Sequence, residues 1–231
     1  MAGLLRSINA LRYGAGRAVR KATLAIGLTI AALPAAADGV VIAALGDSLT
    51  QGYGLPVEDG LVPQLQTWLE KNGTEATLIN AGVSGDTTAG GLARIGWTLG
   101  PDVDALMVAL GANDILRGLD PAQAKSNLDG ILTEAATRNL PVLLIGFKAP
   151  GNYGPSYQEA FDGMYPALAA KHGASLVDSF FAPLRAVDDG SFEARIRYMQ
   201  PDGLHPSKDG VAVIVDHLGP SVAELARQIT D

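Results

Sequence analysis

The chain alternates between short apolar runs and longer stretches with helical periodicity. Val40-Val41-Ile42-Ala43-Ala44-Leu45 carries no charge and stops at Gly46. Such a run reads as a strand buried on both faces, the usual state of a parallel sheet. Four more candidate strands follow, at Ala76 to Asn80, Asp104 to Leu110, Pro141 to Phe147 and Ala174 to Val177. Between them lie helical stripes. Leu61, Leu65, Trp68 and Leu69 form the first, with Asp59 as cap, Pro63 in the first turn and Gly73 at the end. Trp68 reads as core. Asp86 or Thr87 caps the next helix. Asp120-Pro121-Ala122-Gln123 opens a further one with a cap, a first-turn proline and a Gln able to close a capping box, and Ala124, Leu128, Ile131, Leu132 and Ala135 are its buried stripe. Another runs through Tyr157, Phe161, Tyr165 and Leu168. The last starts near Ser207 and carries Ile214, Val215 and Leu218, with Gly219-Pro220 expected to kink or split it.

Strands alternating with helices define an α/β protein with a mainly parallel sheet covered on both faces. Right-handed crossovers bring the carboxyl ends of all the strands to one edge, where open α/β sheets bind ligands. The loops at 46–54, 81–87, 111–119 and 148–154 therefore converge.

Residues 1–37 break this pattern. Arg6, Arg12, Arg17, Arg20 and Lys21 form a basic region free of acids, Ala22 to Leu33 is an apolar run, and Ala35-Ala36-Ala37 supplies small residues before Asp38. This is the pattern of a secretory signal peptide cleaved after Ala37, since the apolar run falls short of the ~20 residues that span a bilayer. An uncleaved anchor is the competing reading. Residues 38–231 are read as one domain, periplasmic or secreted. Cleavage moves the formal charge from −7 to −12. So acidic a chain argues against nucleic acid as a partner and against electrostatic attachment to anionic lipid. No stable membrane insertion is expected after cleavage, and a monomer is expected. The absence of cysteine excludes a disulfide, a thiol nucleophile and a thiolate metal site.

Four loops on the common edge hold candidate chemistry. Ser48, in Gly46-Asp47-Ser48, is a candidate nucleophile if a base can reach it. Taken alone, Gly-Asp-Ser is also ordinary turn chemistry. It is not the Gly-x-Ser-x-Gly elbow of α/β-hydrolases, because position 50 is Thr. Of the three histidines, His172 sits in a helix-end pattern and His217 lies within the last helix. His205 stands in Asp202-Gly203-Leu204-His205-Pro206. There a carboxylate three residues earlier can bond Nδ1–H and leave Nε2 facing the serine. Acyl transfer also needs donors for an oxyanion. The Ser48 N–H, the Gly82 N–H and the Asn113 side chain can supply them, although Gly82 also suits a turn and Asn113 an Asx-turn.

These blocks, in this order, resemble the SGNH (GDSL) hydrolases. The resemblance rests on Gly46-Asp47-Ser48-Leu49, Asn80-Ala81-Gly82, Gly111-Ala112-Asn113-Asp114 and Asp202-Gly203-Leu204-His205-Pro206. It is closest to the secreted bacterial thioesterase I, lysophospholipase L1 and arylesterase group. Ser84-Gly85-Asp86-Thr87, Asn152-Tyr153-Gly154 and Tyr157-Gln158-Glu159-Ala160-Phe161 resemble further blocks of that group. Ala112 departs from it, standing where a second glycine is frequent. The resemblance implies a flavodoxin-like three-layer α/β/α sandwich with a five-stranded parallel sheet. It implies Ser48 as nucleophile, His205 as base and then acid, Asp202 as its orienter, and Ser48, Gly82 and Asn113 as the oxyanion hole. The expected activity is hydrolysis of carboxylic esters and thioesters (aryl esters, acyl-CoA, lysophospholipids) through an acyl-enzyme. Neither a metal nor a cofactor is implied. Ile115, Leu116, Pro150 and Tyr153 are candidates for the acyl pocket. A carbohydrate deacetylase on the same scaffold and a non-catalytic binding module are the alternatives. The apolar residues Ile115, Leu116 and Leu119 weigh against the first, and retention of Ser48, Asn113 and His205 against the second.

Overall fold

The computed structural model describes residues 39–230, so the proposed signal peptide lies outside the described residues. The chain runs β1 (Val40–Gly46), α1 (Ser48–Gln51), α2 (Leu61–Lys71), β2 (Ala76–Gly82), α3 (Thr88–Thr98), β3 (Ala105–Ala109), α4 (Ala112–Leu116), α5 (Pro121–Thr137), β4 (Val142–Ile145), α6 (Pro155–His172), β5 (Ser175–Val177), α7 (Ala182–Val187), α8 (Phe192–Tyr198) and α9 (Lys208–Thr230). The five strands form one parallel sheet in the order β2-β1-β3-β4-β5. The order reverses at β1, so the crevice between the ends of β1 and β3 is where such a sheet binds ligands. Ser48 is the second residue beyond β1.

Burial follows from position in the sheet. Every residue of β3 and β4 is buried, and in β1 only Val41 is partly exposed. β2 is an edge strand, which is why Thr77 and Ile79 face solvent. Helices α2 and α9 pack together, and α9 lies across β1, β3, β4 and β5; α3, α5 and α6 pack as a second group. The stripe Val211, Ile214, Val215, Leu218, Val222 and Leu225 on α9 is buried. Each such side chain contributes roughly 1.5–3 kcal/mol of burial.

Several local expectations are corrected. Helix α9 runs unbroken through Gly219-Pro220. Its apolar stripe continues past the proline, and Gly219 gives room for the Trp68 ring of α2, which a Cβ there would strike. The burial on either side outweighs the one helical bond that proline removes. Helix α2 starts from Gly60 without a side-chain cap, and Asp59 instead pairs with Lys208 at 2.8 Å. Thr87 caps α3 through the Gly90 N–H, while Asp86 pairs with Arg94. Asp120 caps α5 through the Ala122 N–H, but Gln123 turns to Asn127 and leaves the capping box open.

Candidate active site

The turn after β1 is shaped by two short-range constraints. Gly46 sits so close to the Thr50 side chain that a Cβ would collide with it. Asp47, fully buried, accepts the Leu49 N–H at Oδ1 (3.0 Å) and so caps α1. Ser48 is thereby the first residue of a four-residue helix that ends at Gly52 in the left-handed region (φ 90°).

The candidate base, His205, stands in the loop before α9. Asp202 Oδ1 accepts the N–H groups of Leu204 (2.9 Å) and His205 (3.0 Å), which folds the loop around the carboxylate. Its Oδ2 is 2.6 Å from His205 Nδ1. A carboxylate can only accept, so Nδ1 carries the proton and Nε2 is left as an acceptor. Nε2 lies 2.8 Å from Ser48 Oγ. The imidazole hydrogen bond, followed by those from the His205 and Leu204 N–H groups, lowers the Asp202 pKa to about 2. Asp202 is therefore ionised at neutral pH.

Asn113 lies in the first turn of α4, after Gly111 (φ 128°), where a Cβ would strike the Tyr165 hydroxyl. Ala112 lies inside the helix and needs no positive φ, so the departure at this position is absorbed. Asn113 Nδ2 donates to Asp47 Oδ2 at 3.3 Å, linking the turns after β1 and β3. Burial, opposed by the bonds from Leu49 and Asn113, raises the Asp47 pKa to about 6. Asp114 points away from the cleft and accepts the Thr88 N–H (2.8 Å) and hydroxyl (2.6 Å), fixing α4 to α3.

Gly82 ends β2 against the backbone of α1, where a Cβ would overlap Gln51 N. Its N–H donates to Asn80 Oδ1 at 3.0 Å. Arg94 fastens this corner: Nη2 donates to Gly46 O (2.8 Å), Nη1 to Ala81 O (2.7 Å) and Nε to Asp86 (2.6 Å).

Ser48, Asn113 and His205 open into one cleft of about 200 Å³. Its walls are mostly apolar: Ile115, Leu116, Phe147, Pro150, Phe181 and Leu204, with Lys148 beside them. Of the residues expected at an acyl pocket, Ile115, Leu116 and Pro150 line this cleft. Tyr153 does not line the cleft, because its 3₁₀ turn directs the ring onto Tyr157 (centroids 4.9 Å apart). Phe147, Phe181 and Leu204 were not expected. Phe147 read as the end of a core strand, and Phe181 belongs to no motif. The other histidines are elsewhere: His172 Nε2 is 2.6 Å from Asp129 at the end of α6, and His217 lies on α9. Among the described residues no group of three His, Asp or Glu side chains is placed to hold a metal, and no helix is long and apolar enough to cross a membrane.

A doubly wound parallel sheet with serine, imidazole and carboxylate in series at its switch point defines a hydrolase class that acts on ester bonds. The chain belongs to the GDSL-like Lipase/Acylhydrolase family, which it matches over residues 44–213. It is similar to Esterase TesA of Pseudomonas aeruginosa (36% identity over 201 residues, 87% of this chain and 95% of that protein). It is also similar to Thioesterase 1/protease 1/lysophospholipase L1 of Escherichia coli K12 (34% over 192 residues, 83% and 86%). Among solved structures it resembles AlinE4, an SGNH-hydrolase family esterase, with a TM-score of 0.64 and 46% identity, covering 80% of this chain and 96% of AlinE4.

Proposed function

We propose that Ser48, His205 and Asp202 are the nucleophile, base and orienter of an esterase and thioesterase that works through an acyl-enzyme. The observation that carries this is the unbroken series Asp202–His205–Ser48, at 2.6 and 2.8 Å, at the mouth of an apolar cleft. Ser48 Oγ adds to the acyl carbon as its proton passes to His205 Nε2. The carbonyl oxygen, now an anion, is met by the Ser48 and Gly82 N–H groups and Asn113 Nδ2. Gly82 must then exchange its bond to Asn80, and Asn113 its longer bond to Asp47, for the substrate oxygen. Collapse expels the alcohol or thiol, which takes the proton from His205. Water, deprotonated by the same nitrogen, then hydrolyses the acyl-serine.

The cleft holds the acyl chain against Ile115, Leu116 and Phe147. Aryl esters, acyl-CoA and lysophospholipids are the substrate classes; the names esterase, thioesterase and lysophospholipase carried by the relatives support ester, thioester and lysophospholipid hydrolysis. Residues 1–37 are a signal peptide and the mature enzyme is periplasmic or secreted, a reading supported by the basic region, the apolar run and Ala35-Ala36-Ala37. An N-terminus at Asp38 in protein recovered outside the cytoplasm tests it.

The catalytic test is a stopped-flow assay with an activated aryl ester. A burst of one phenol per enzyme is expected wherever deacylation is slower than acylation. Ser48→Ala should fold normally and lose on the order of 10⁴- to 10⁶-fold in kcat. Substantial turnover by Ser48→Ala would end the proposal. Rates over a series of acyl lengths, beside matched acyl-CoA substrates, then assign the preferred class.

A further inference from the structure

Tyr53 lies at the edge of the site, half exposed, with its ring centroid 4.6 Å from that of His205 and the planes tilted by 37°. Its backbone holds it there. The Tyr53 N–H donates to Ser48 O (3.1 Å), and Gly52 and Gly54 on either side adopt φ of 90° and 76°. Only glycine takes such angles readily, so the chain doubles back and presents the tyrosine to the base. Gln200 grips the same segment from the other loop. Its Nε2 donates to Tyr53 O (2.8 Å) and to Pro206 O (3.0 Å), and its N–H donates to His205 O (2.8 Å). A Cβ on Gly54 would run into the Gln200 amide. The turn that carries Ser48 and the loop that carries His205 are thus joined by Gln200 as well as by the serine–imidazole bond.

We propose that Tyr53 is a positioning residue for His205, held on the imidazole by Gln200, and that its ring favours the imidazolium formed at each proton transfer. The proposal rests on the reading of Ser48, His205 and Asp202 as the catalytic series. The bonds at Nδ1 and Nε2 both lie in the plane of the ring and leave it free to rock about the axis joining them. A packed face stops that motion. The face of an aromatic ring is also electron-rich and attracts a cation, which an aliphatic side chain of equal bulk does not. The imidazole faces Asp202 at Nδ1, Ser48 at Nε2 and Tyr53 across one face, and it feels the buried Asp47 carboxyl.

The experiment compares Tyr53→Phe, Tyr53→Leu and Gln200→Leu with the wild type and His205→Gln, on an aryl ester across pH. Tyr53→Phe keeps the ring and should hold kcat within about twofold, whereas Tyr53→Leu should lower it about tenfold with KM little changed. In Tyr53→Leu the acid limb of the kcat/KM profile should also move to lower pH by about half a unit, the size of an exposed cation–π contact. The direction follows because a less favoured imidazolium gives up its proton sooner. Gln200→Leu should move the limb the same way by less. Wild-type kcat and acid limb in Tyr53→Leu, or an equal loss in Tyr53→Phe, would overturn the proposal, and an unmoved limb in Gln200→Leu would remove Gln200 from it. Proton NMR gives a readout independent of turnover. The His205 ring protons, identified by their disappearance in His205→Gln, should lie upfield under the Tyr53 ring current and return downfield in Tyr53→Leu. Shifts that stay in place show no contact and also overturn it. Should His205→Gln itself stay active, the catalytic series fails, and the NMR shift still decides whether Tyr53 covers the ring.

Discussion

The proposed roles of Asp202 and Asn113 fall at different moments of one reaction, so their substitutions should separate. Asp202→Asn offers an amide where Nδ1–H now meets a carboxylate, so the ring can turn to the wrong tautomer. A loss of up to about 10⁴-fold in kcat is expected, with the fold retained. Asn113→Ala removes a donor that rests on Asp47 and, in the proposed mechanism, turns to the substrate only when the oxyanion forms, so kcat should fall about 10²- to 10³-fold while KM hardly moves. Steady-state kinetics at matched melting temperature checks both; a KM effect without a kcat effect would make Asn113 a ground-state contact. The proximity of Ser48, His205 and Asp202 was legible in the sequence because the carboxylate and imidazole stand three residues apart in one loop on the same sheet edge as the serine. What could not be read is how the donors are engaged at rest. The Gly82 N–H on Asn80, Asn113 on Asp47, and Asp86 on Arg94 instead of at a helix start are all side-chain choices between partners of equal chemistry. Only the packed geometry decides among them.

At the scale of elements, the strands and long helices were legible because burial imposes a period on the sequence. Strands β1, β3 and β4 are near-continuous apolar runs, and α5 and α9 carry clear stripes. Helices α7 and α8 were not anticipated. Only Leu184 is buried in the first and nothing in the second, so neither writes an apolar period. The unbroken α9 was misjudged for a related reason: Gly-Pro is a local signal, and the contact that overrides it is to Trp68, far away in the sequence. That contact yields a prediction. Gly219→Leu forces a side chain into the Trp68 ring and should destabilise the fold by about 1–3 kcal/mol through overpacking. Thermal unfolding measures it, and Gly219→Leu combined with Trp68→Ala should recover part of the loss if the collision is the cause.

Across the whole molecule, the acidic chain draws its pH dependence from a few carboxyls that the fold treats in opposite ways. Asp202 is held ionised and exposed, so its contribution is present above the usual carboxylate range and disappears only as pH falls toward 2. Asp47 runs the other way. Its pKa is raised from 3.8 to about 6 because it is buried. As pH rises from 4 to 6 the unfolded chain releases this proton while the folded chain keeps it, so the fold loses stability across that interval. The loss is about 3 kcal/mol and levels off above pH 6. In the proposed mechanism this cost has a use: the carboxylate that forms above pH 6 accepts from Asn113 and so orients the proposed oxyanion donor. Asp47→Asn removes the titration and keeps an oxygen for the Leu49 N–H, but it sets an amide NH₂ against that of Asn113. The melting temperature of Asp47→Asn relative to wild type should therefore climb between pH 4 and 7, by roughly 5–10 °C at about 2–4 °C per kcal/mol for a domain of this size. Over the same range its kcat should fall below wild type, most clearly above pH 6. A melting-temperature difference that stays flat with pH would show that Asp47 is ionised throughout, and that the link between burial and the oxyanion donor does not exist.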